Sequence, residues 1–250
     1  MEIVPVPILR DNYIWLGRAG SLAFVVDPGE AAPLEDYLTR HRLKLSAILL
    51  THHHGDHIGG VAALRQDGAV PVYGPASLSL VDHPVGDGDS VHLTDFGLKL
   101  QVLAVPGHTL DHLAYWGDGV LFCGDTLFAC GCGRLFEGSP AQMQSSLARL
   151  AALPADTRVY CTHEYTESNE RFARVVEPDN RELQRRSLVD SASRAEGRPT
   201  LPSTLALERA TNPFLRWDAP AVVAAARCHG AASDDPVEVF AALRRWKDGF

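Results

Sequence analysis

The chain has 250 residues, 46% of them hydrophobic and 22% charged, with 21 glycines and 16 prolines. This is the composition of an ordinary soluble protein with room for one large domain or two small ones, and it excludes collagen-like and low-complexity classes. A formal charge of −8 gives an acidic surface that repels phosphate backbones, which counts against nucleic acid as the main partner.

At this length roughly 70–75% of the unfolded surface can be buried, so the core needs no structural metal and a metal site would serve chemistry. No apolar run approaches the roughly 18 residues of a membrane span, Ala221–Ala226 being about the limit, and no membrane partner is expected. The first residues, Met1-Glu2-Ile3-Val4-Pro5, show neither a basic stretch nor an unbroken apolar one, so the expectation is a cytoplasmic protein without a secretory signal. Five cysteines (Cys123, Cys130, Cys132, Cys161, Cys228) fit no disulfide framework and read as reduced thiols. A monomer is expected.

In chain order, the predicted strands are Ile3–Leu9, Tyr13–Gly17, Leu22–Val26, Ala47–Thr51, Val70–Tyr73, Ser90–Leu93, Leu98–Val105, Leu113–Trp116, Val120–Cys123 and Arg158–Cys161. Pro5 and Pro7 lie on one side of the first run, which suits an edge strand. Helical patterns intervene at Ala32–His41, Gly59–Gln66 and Ala141–Ala151. After Tyr165 the character changes. Thr166–Val176, Arg181–Ser193, Ala219–Arg227 and Pro236–Lys247 all read as helix, which predicts a boundary near 165, with domains 1–165 and 166–250.

The most informative stretch is Thr51-His52-His53-His54-Gly55-Asp56-His57, after the apolar run Ala47–Leu50. A strand ending there throws His52 and His54 to one side, with Asp56 and His57 at the turn into a helix. Pro106-Gly107-His108-Thr109, Gly124-Asp125 and Thr162-His163 each place one more ligand-type residue just past a short strand, where α/β folds build sites. Five histidines and two aspartates exceed what one zinc can use. Two metals sharing a carboxylate fit the count, and imidazole with carboxylate suits zinc, iron or manganese. The plain alternative is a surface histidine cluster.

The pattern T-H-x-H-x-D-H, then G-H-T, G-D and a late histidine resembles the metallo-β-lactamase superfamily. Within it the chain resembles the glyoxalase II (hydroxyacylglutathione hydrolase) family over essentially its full length. The supporting segments are Arg10-Asp11-Asn12-Tyr13-Ile14-Trp15, Asp125-Thr126-Leu127-Phe128, Cys132-Gly133-Arg134, His163-Glu164-Tyr165, Thr211-Asn212-Pro213-Phe214-Leu215-Arg216 and Arg244-Arg245-Trp246-Lys247-Asp248. The resemblance implies a four-layered αββα metallo-β-lactamase fold with a C-terminal α-helical domain. It implies two divalent metal ions, zinc foremost with iron or manganese as alternatives. His52, His54 and His108 would hold one, Asp56, His57 and His163 the second, and Asp125 would bridge. His53 falls at a variable position and reads as a non-ligand. Asp27 either orients a ligand imidazole or forms a plain turn, His112 is a candidate supporting group, and His41, His83, His92 and His229 read as surface groups. Asp111 stands where the family usually has glycine.

The implied activity is hydrolysis of the thioester in S-(2-hydroxyacyl)glutathione, such as S-D-lactoylglutathione, to glutathione and a 2-hydroxy acid. Two metals bring the pKa of a bridging water towards 7, one of them can accept the developing oxyanion, and Asp56 would orient the hydroxide. A thiol of pKa about 8.5 leaves without a strong general acid. The resemblance places substrate recognition on Arg134, Phe136, Tyr165, Arg244 and Lys247; Phe136 replaces a tyrosine common in the family and removes one hydroxyl. Arg244, Arg245 and Lys247 otherwise read as cations complementing a helix C-terminus. Two rivals are a glutathione persulfide dioxygenase of the same superfamily, using one iron, and a metal-dependent nuclease of this fold. The helical tail favours the hydrolase over the first, and the acidic charge disfavours the second. A third rival, a non-catalytic binding module, does not need the complete ligand set.

Overall fold

Runs of Val, Ile, Leu and aromatic residues between glycine and proline punctuation fold as strands, as their composition predicts. The structure, a computed structural model, describes residues 1–65 and 68–250. It divides into one unit of Met1–Ala104 with Asp111–Gly124 and a second of Val105–Leu110 with Asp125–Phe250.

The first unit opens on β1 (Glu2–Ile8), β2 (Asn12–Ala19) and β3 (Leu22–Val26), followed by α1 (Ala32–His41), β4 (Lys44–Leu49), α2 (Gly55–Ile58), α3 (Val61–Leu64), β5 (Val72–Gly74) and β6 (His83–Pro84). The six strands form one sheet in sequence order, antiparallel from β1 to β3 and parallel from β3 to β6. On one face Ile14, Val25 and Ile48 pack with Leu34 and Leu38 of α1 and Val61 and Leu64 of α3. On the other, Phe24 stands edge-on to Phe96 and Phe122, with ring centroids 5.0 and 6.1 Å away. Burial on both faces explains why β3 reads Leu-Ala-Phe-Val-Val with no polar alternation. Phe122 belongs to an antiparallel meander of β7 (Ser90–Leu93), β8 (Leu98–Ala104), β9 (Leu113–Gly117) and β10 (Val120–Gly124). This unit therefore layers helix on sheet on sheet.

The edge prediction for the first run holds. β1 is the outer strand, and Pro5 and Pro7 pair in register with Trp15 and Tyr13. The opposite edge, β6, is two residues long and ends in Pro84.

Two expectations need correction. The helix expected over Gly59–Gln66 is found shortened, as α3, and is preceded by a further short helix, α2; Gln66 itself lies outside the described residues. Gly59 and Gly60 separate the two, and a Cβ on Gly60 would lie 2.6–2.7 Å from backbone atoms of Pro28, Glu30 and Ala31, so the close approach requires glycine. The strand expected over Ala47–Thr51 ends at Leu49, so His52 and His54 lie on the loop between β4 and α2, with no strand alternation to place them.

In the second unit come β11 (Leu127–Phe128), β12 (Gly131–Cys132), α4 (Pro140–Ala151), β13 (Arg158–Cys161), α5 (Thr166–Val176), α6 (Arg181–Ala195), β14 (Ser203–Thr204), α7 (Leu205–Thr211), α8 (Pro220–Cys228) and α9 (Pro236–Asp248). The helix starts are written in the sequence. Ser139 and Gln142 form a reciprocal capping box on α4, Asn180 caps α6, and Asp235 accepts from Val237 and Glu238 at the start of α9. The pattern reading missed α7, whose seven residues are too few to display a helical period, and the two-residue strands β11, β12 and β14.

Candidate metal centre

In the first unit the loop after β4 turns four imidazoles and two carboxylates towards each other. Asp27, at the end of the β3 turn with a left-handed φ of 53°, is buried and accepts the Thr51 N–H at 2.8 Å and the Thr51 hydroxyl at 2.7 Å. The oxygen that takes the hydroxyl, Oδ2, also lies 3.0 Å from His57 Nδ1. Because the Thr51 hydroxyl spends its proton on Asp27, it accepts from His52 Nδ1, 3.0 Å away. Both rings are thereby fixed as Nδ1–H tautomers, with Nε2 left to carry the lone pair. Asp27 thus orients a ligand-type imidazole and is not a plain turn residue.

His52 Nε2 lies 3.1 Å from His54 Nδ1. A tetrahedral ion with metal–nitrogen distances of about 2.0–2.1 Å sets two ligand nitrogens about 3.3–3.4 Å apart, so the spacing fits a shared ion. His112 is buried and stacks on His52 at 4.5 Å, bracing the ring. Asp56 Oδ2 accepts the Asn12 side-chain amide at 3.0 Å and lies 3.6 Å from His57 Nε2. Gly29 passes so close that a Cβ there would fall 1.9 Å from the Asp56 carbonyl oxygen. His53 points elsewhere, its Nδ1 3.0 Å from Asp111, which also accepts the Ser77 hydroxyl at 2.7 Å.

In the second unit Asp125 Oδ2 stands between two imidazoles, 3.4 Å from His108 Nε2 and 3.3 Å from His163 Nε2. His108 Nδ1 donates to the Arg134 carbonyl oxygen at 2.9 Å, which again directs Nε2 towards Asp125. Tyr165 stacks face to face on His163 at 4.6 Å, and the exposed ring of Phe136 meets His108 edge-on at 5.2 Å. All three ligand-type residues follow strands or turns as the sequence predicts. His52, His57 and His108 are buried imidazoles with Nδ1 spent on oxygen, and carboxylates stand beside Nε2 of His57, His108 and His163. That is the chemistry of a divalent-metal site, and the residues fit one.

The basic residues near the C-terminus lie apart from these rings in role. Arg244 is buried, donating to the Cys132 carbonyl at 2.9 Å, pairing with Asp248 at 2.9 Å and lying over Phe214. Lys247 donates to the Ser168 carbonyl at 3.2 Å and sits over the rings of Phe172 and Phe250. Burial, with Arg244 and Arg171 adding repulsion, lowers its ammonium to about 8. Arg134 is 66% exposed, its Nε 3.7 Å from the same Asp248 carboxylate. His41, His83, His92 and His229 are exposed as expected. The five cysteines carry free thiols, four of them buried.

Comparison with known proteins gives consistent findings. Residues 9–80 and 74–163 match the metallo-beta-lactamase superfamily, and residues 164–250 match the hydroxyacylglutathione hydrolase C-terminus. A hydroxyacylglutathione hydrolase of Alkalilimnicola ehrlichii is 57% identical, covering 99% of this chain and 98% of that one. One of Halorhodospira halophila is 54% identical over 98% and 97%. Among solved structures, ETHE1 of Myxococcus xanthus is similar with a TM-score of 0.65 and 28% identity, over 85% of this chain and 84% of that one. TTHA1623, solved in a di-iron-bound form, has a TM-score of 0.60 and 28% identity, over 85% of this chain and all of the other. With a metallo-β-lactamase fold and a C-terminal helical region of the matching kind, the chain belongs to the hydroxyacylglutathione hydrolase family.

Proposed function

We propose that the chain hydrolyses S-(2-hydroxyacyl)glutathione thioesters, S-D-lactoylglutathione foremost, to glutathione and a 2-hydroxy acid, the second step of methylglyoxal removal. Full-length identity to relatives of that name carries the reading. We assign one divalent ion to His52, His54 and His108, a second to Asp56, His57 and His163, and a shared role to Asp125. Zinc suits these donors, and iron or manganese would also be accepted. We place the catalytic domain at 1–165 and the substrate-binding domain at 166–250, in keeping with the family ranges 9–163 and 164–250. Free thiols fit a cytoplasmic monomer acting on small molecules, and no described helix is long and apolar enough to cross a membrane.

Held by these residues, a pair of divalent ions would supply an acidified water and a polarised carbonyl. The chain's own groups do the rest. Asp56, steadied by the Asn12 amide, accepts a hydrogen bond from the attacking water and directs its lone pair at the thioester carbon. Asp27, Thr51 and the Arg134 carbonyl keep the imidazoles in the tautomers that the ligands need. The carbon–sulfur bond breaks as the new carbon–oxygen bond forms, glutathione leaves as a thiolate without a strong acid, and of the water's two protons one ends on that thiolate and the other in solvent. Phe136 and Tyr165 shield the His108 and His163 rings from bulk water.

A steady-state assay on S-D-lactoylglutathione, with elemental analysis of the same sample, tests this. Turnover with about two metal ions per chain is expected; full activity with one equivalent sinks the dinuclear assignment. His54→Ala should lose metal and activity while His53→Ala keeps both. An equal loss in the two variants would refute the ligand set.

Arg244, Lys247, Arg134 and Tyr165 are proposed to hold the glutathione moiety, with Lys247 the group that grips its glycyl carboxylate. The grip needs the ammonium protonated. Its folded value of about 8 lies below the ordinary 10.5, so the charge is present below pH 8 and is lost as pH rises through that value. We therefore expect kcat/KM to fall above about pH 8, with a larger effect on KM than on kcat. Lys247→Met should lower kcat/KM about 10-fold at pH 7 and abolish that alkaline limb. An unchanged limb in the variant assigns it elsewhere.

A further inference from the structure

The loop that carries Asp125 continues into the β11–β12 hairpin and then to Arg134, whose carbonyl orients His108. Its two-residue turn is Ala129-Cys130, with Cys130 held at a left-handed φ of 53° without being glycine. Such a residue stays there only when its surroundings fix it. Most of the fixing groups come from the helical segments. Asn169 of α5 donates to the Ala129 carbonyl at 3.0 Å. Glu208 of α7 accepts the Cys130 N–H at 2.8 Å. Asn212, just after α7, donates to the carbonyls of Phe128 at 3.1 Å and Gly131 at 2.9 Å, and to Glu208 at 3.1 Å. Arg244 of α9 caps the Cys132 carbonyl. Every residue from Phe128 to Cys132 thus has a backbone polar group taken by a buried side chain more than thirty positions away in sequence.

The hairpin and the residues flanking it reach each ligand-type residue of the unit. Asp125 is its upstream flank, and a Cβ on Gly133 would lie 2.0 Å from the Asp125 carbonyl oxygen and 3.0 Å from His108 Nδ1. The Phe128 ring meets His163 edge-on at 5.8 Å and Tyr165 at 5.4 Å.

We propose that Asn169, Glu208 and Asn212 are positioning residues for the metal centre: by clamping the 127–132 hairpin they set where Asp125, His108 and His163 stand. The C-terminal helical region then governs metal affinity as well as substrate binding. The inference rests on the ligand assignment given above. Groups that hold metal ligands in place are worth about 10- to 100-fold in affinity when removed.

The test is the zinc dissociation constant, measured by chelator competition at a temperature below every variant's melt. Asn212→Ala and Asn169→Ala should each bind zinc about 10- to 100-fold more weakly than wild type. Arg216→Met serves as the control, since Arg216 pairs with buried Glu177 at 2.7 and 2.9 Å in the same unit and has no described contact with the hairpin. It should melt earlier yet bind zinc as wild type does. Wild-type affinity in both asparagine variants overturns the proposal, as does an equal loss in the control. Should Asn212→Ala fail to fold, Asn169→Ala, which removes one hydrogen bond, decides alone. If Asp125→Ala and wild type bind zinc alike, the ligand assignment has failed and the inference falls with it.

Discussion

Replacing Asp125 by alanine should lower kcat on the order of 10³-fold, equivalent to about 4 kcal/mol of transition-state stabilisation. Metal content should fall from about two ions per chain to below one. The reasoning is electrostatic. Asp125 Oδ2 is buried between His108 Nε2 and His163 Nε2 at 3.4 and 3.3 Å, where two dications would otherwise face each other across neutral imidazoles. An anion in that place offsets their repulsion where solvent screening is weak. Asp125→Asn keeps the shape and removes the charge, so it should resemble the alanine variant in metal content. Normal occupancy in Asp125→Asn would show that geometry, and not charge, sets binding.

Arg186→Leu should cost about 3–5 kcal/mol and lower the melting temperature by roughly 6–20 °C. Arg186 is buried on α6 and pairs with Glu208 at 2.8 Å, Asp190 at 3.1 Å and Glu170 at 3.8 Å, while its Nη1 also reaches Thr211 at 2.7 Å. Removing the cation leaves the carboxyl groups of Glu208, Asp190 and Glu170 without the positive charge they share. Burial, together with a hydrogen bond to Asp190, already raises Glu170 to about 8. A raised carboxyl value means that the folded state holds the proton more tightly than the unfolded chain. Its contribution is complete below about pH 4.5, the ordinary value, and disappears as pH rises through 8. The variant should therefore melt closest to wild type in acid and diverge towards pH 8. A pH-independent gap would assign the loss to packing alone.

The ligand-type residues were legible because metal chemistry admits few side chains and because each follows a strand end. His108, Asp125 and His163 could be found from local sequence, since Gly-His, Gly-Asp and Thr-His each close an apolar run. The expected path from strand alternation to His52 and His54 was mistaken in its cause: Asp27 and Thr51 shape that loop after β4 has ended. For Asp27 the sequence left two roles open, orienting a ligand imidazole or forming a plain turn, because its partners are 24 and 30 residues away. Asn169, Glu208 and Asn212 gave no local signal of purpose. Their polar groups bond backbone carbonyls and amides, and a backbone leaves no residue-type signature. Arg244 illustrates the same limit: from the residues alone it reads as a cation complementing a helix C-terminus, yet its guanidinium is buried against Cys132 and Asp248. The long helices were legible from their period and caps, while α7 and the two-residue strands were too short to show any pattern.

The prolines of β1 have a consequence for how the chain behaves in a crowded solution. An outer strand normally offers a row of alternating donors and acceptors on which a neighbouring molecule can nucleate cross-chain pairing. Pro5 and Pro7 erase two successive donors from that row, and at the far end of the sheet β6 offers only two residues, one of them Pro84. An incoming extended segment would have to leave its own carbonyls unmatched in dry contact, at a cost of the order of 1–3 kcal/mol for each one left buried. Both margins of this sheet are thereby made poor templates for polymerisation by strand addition.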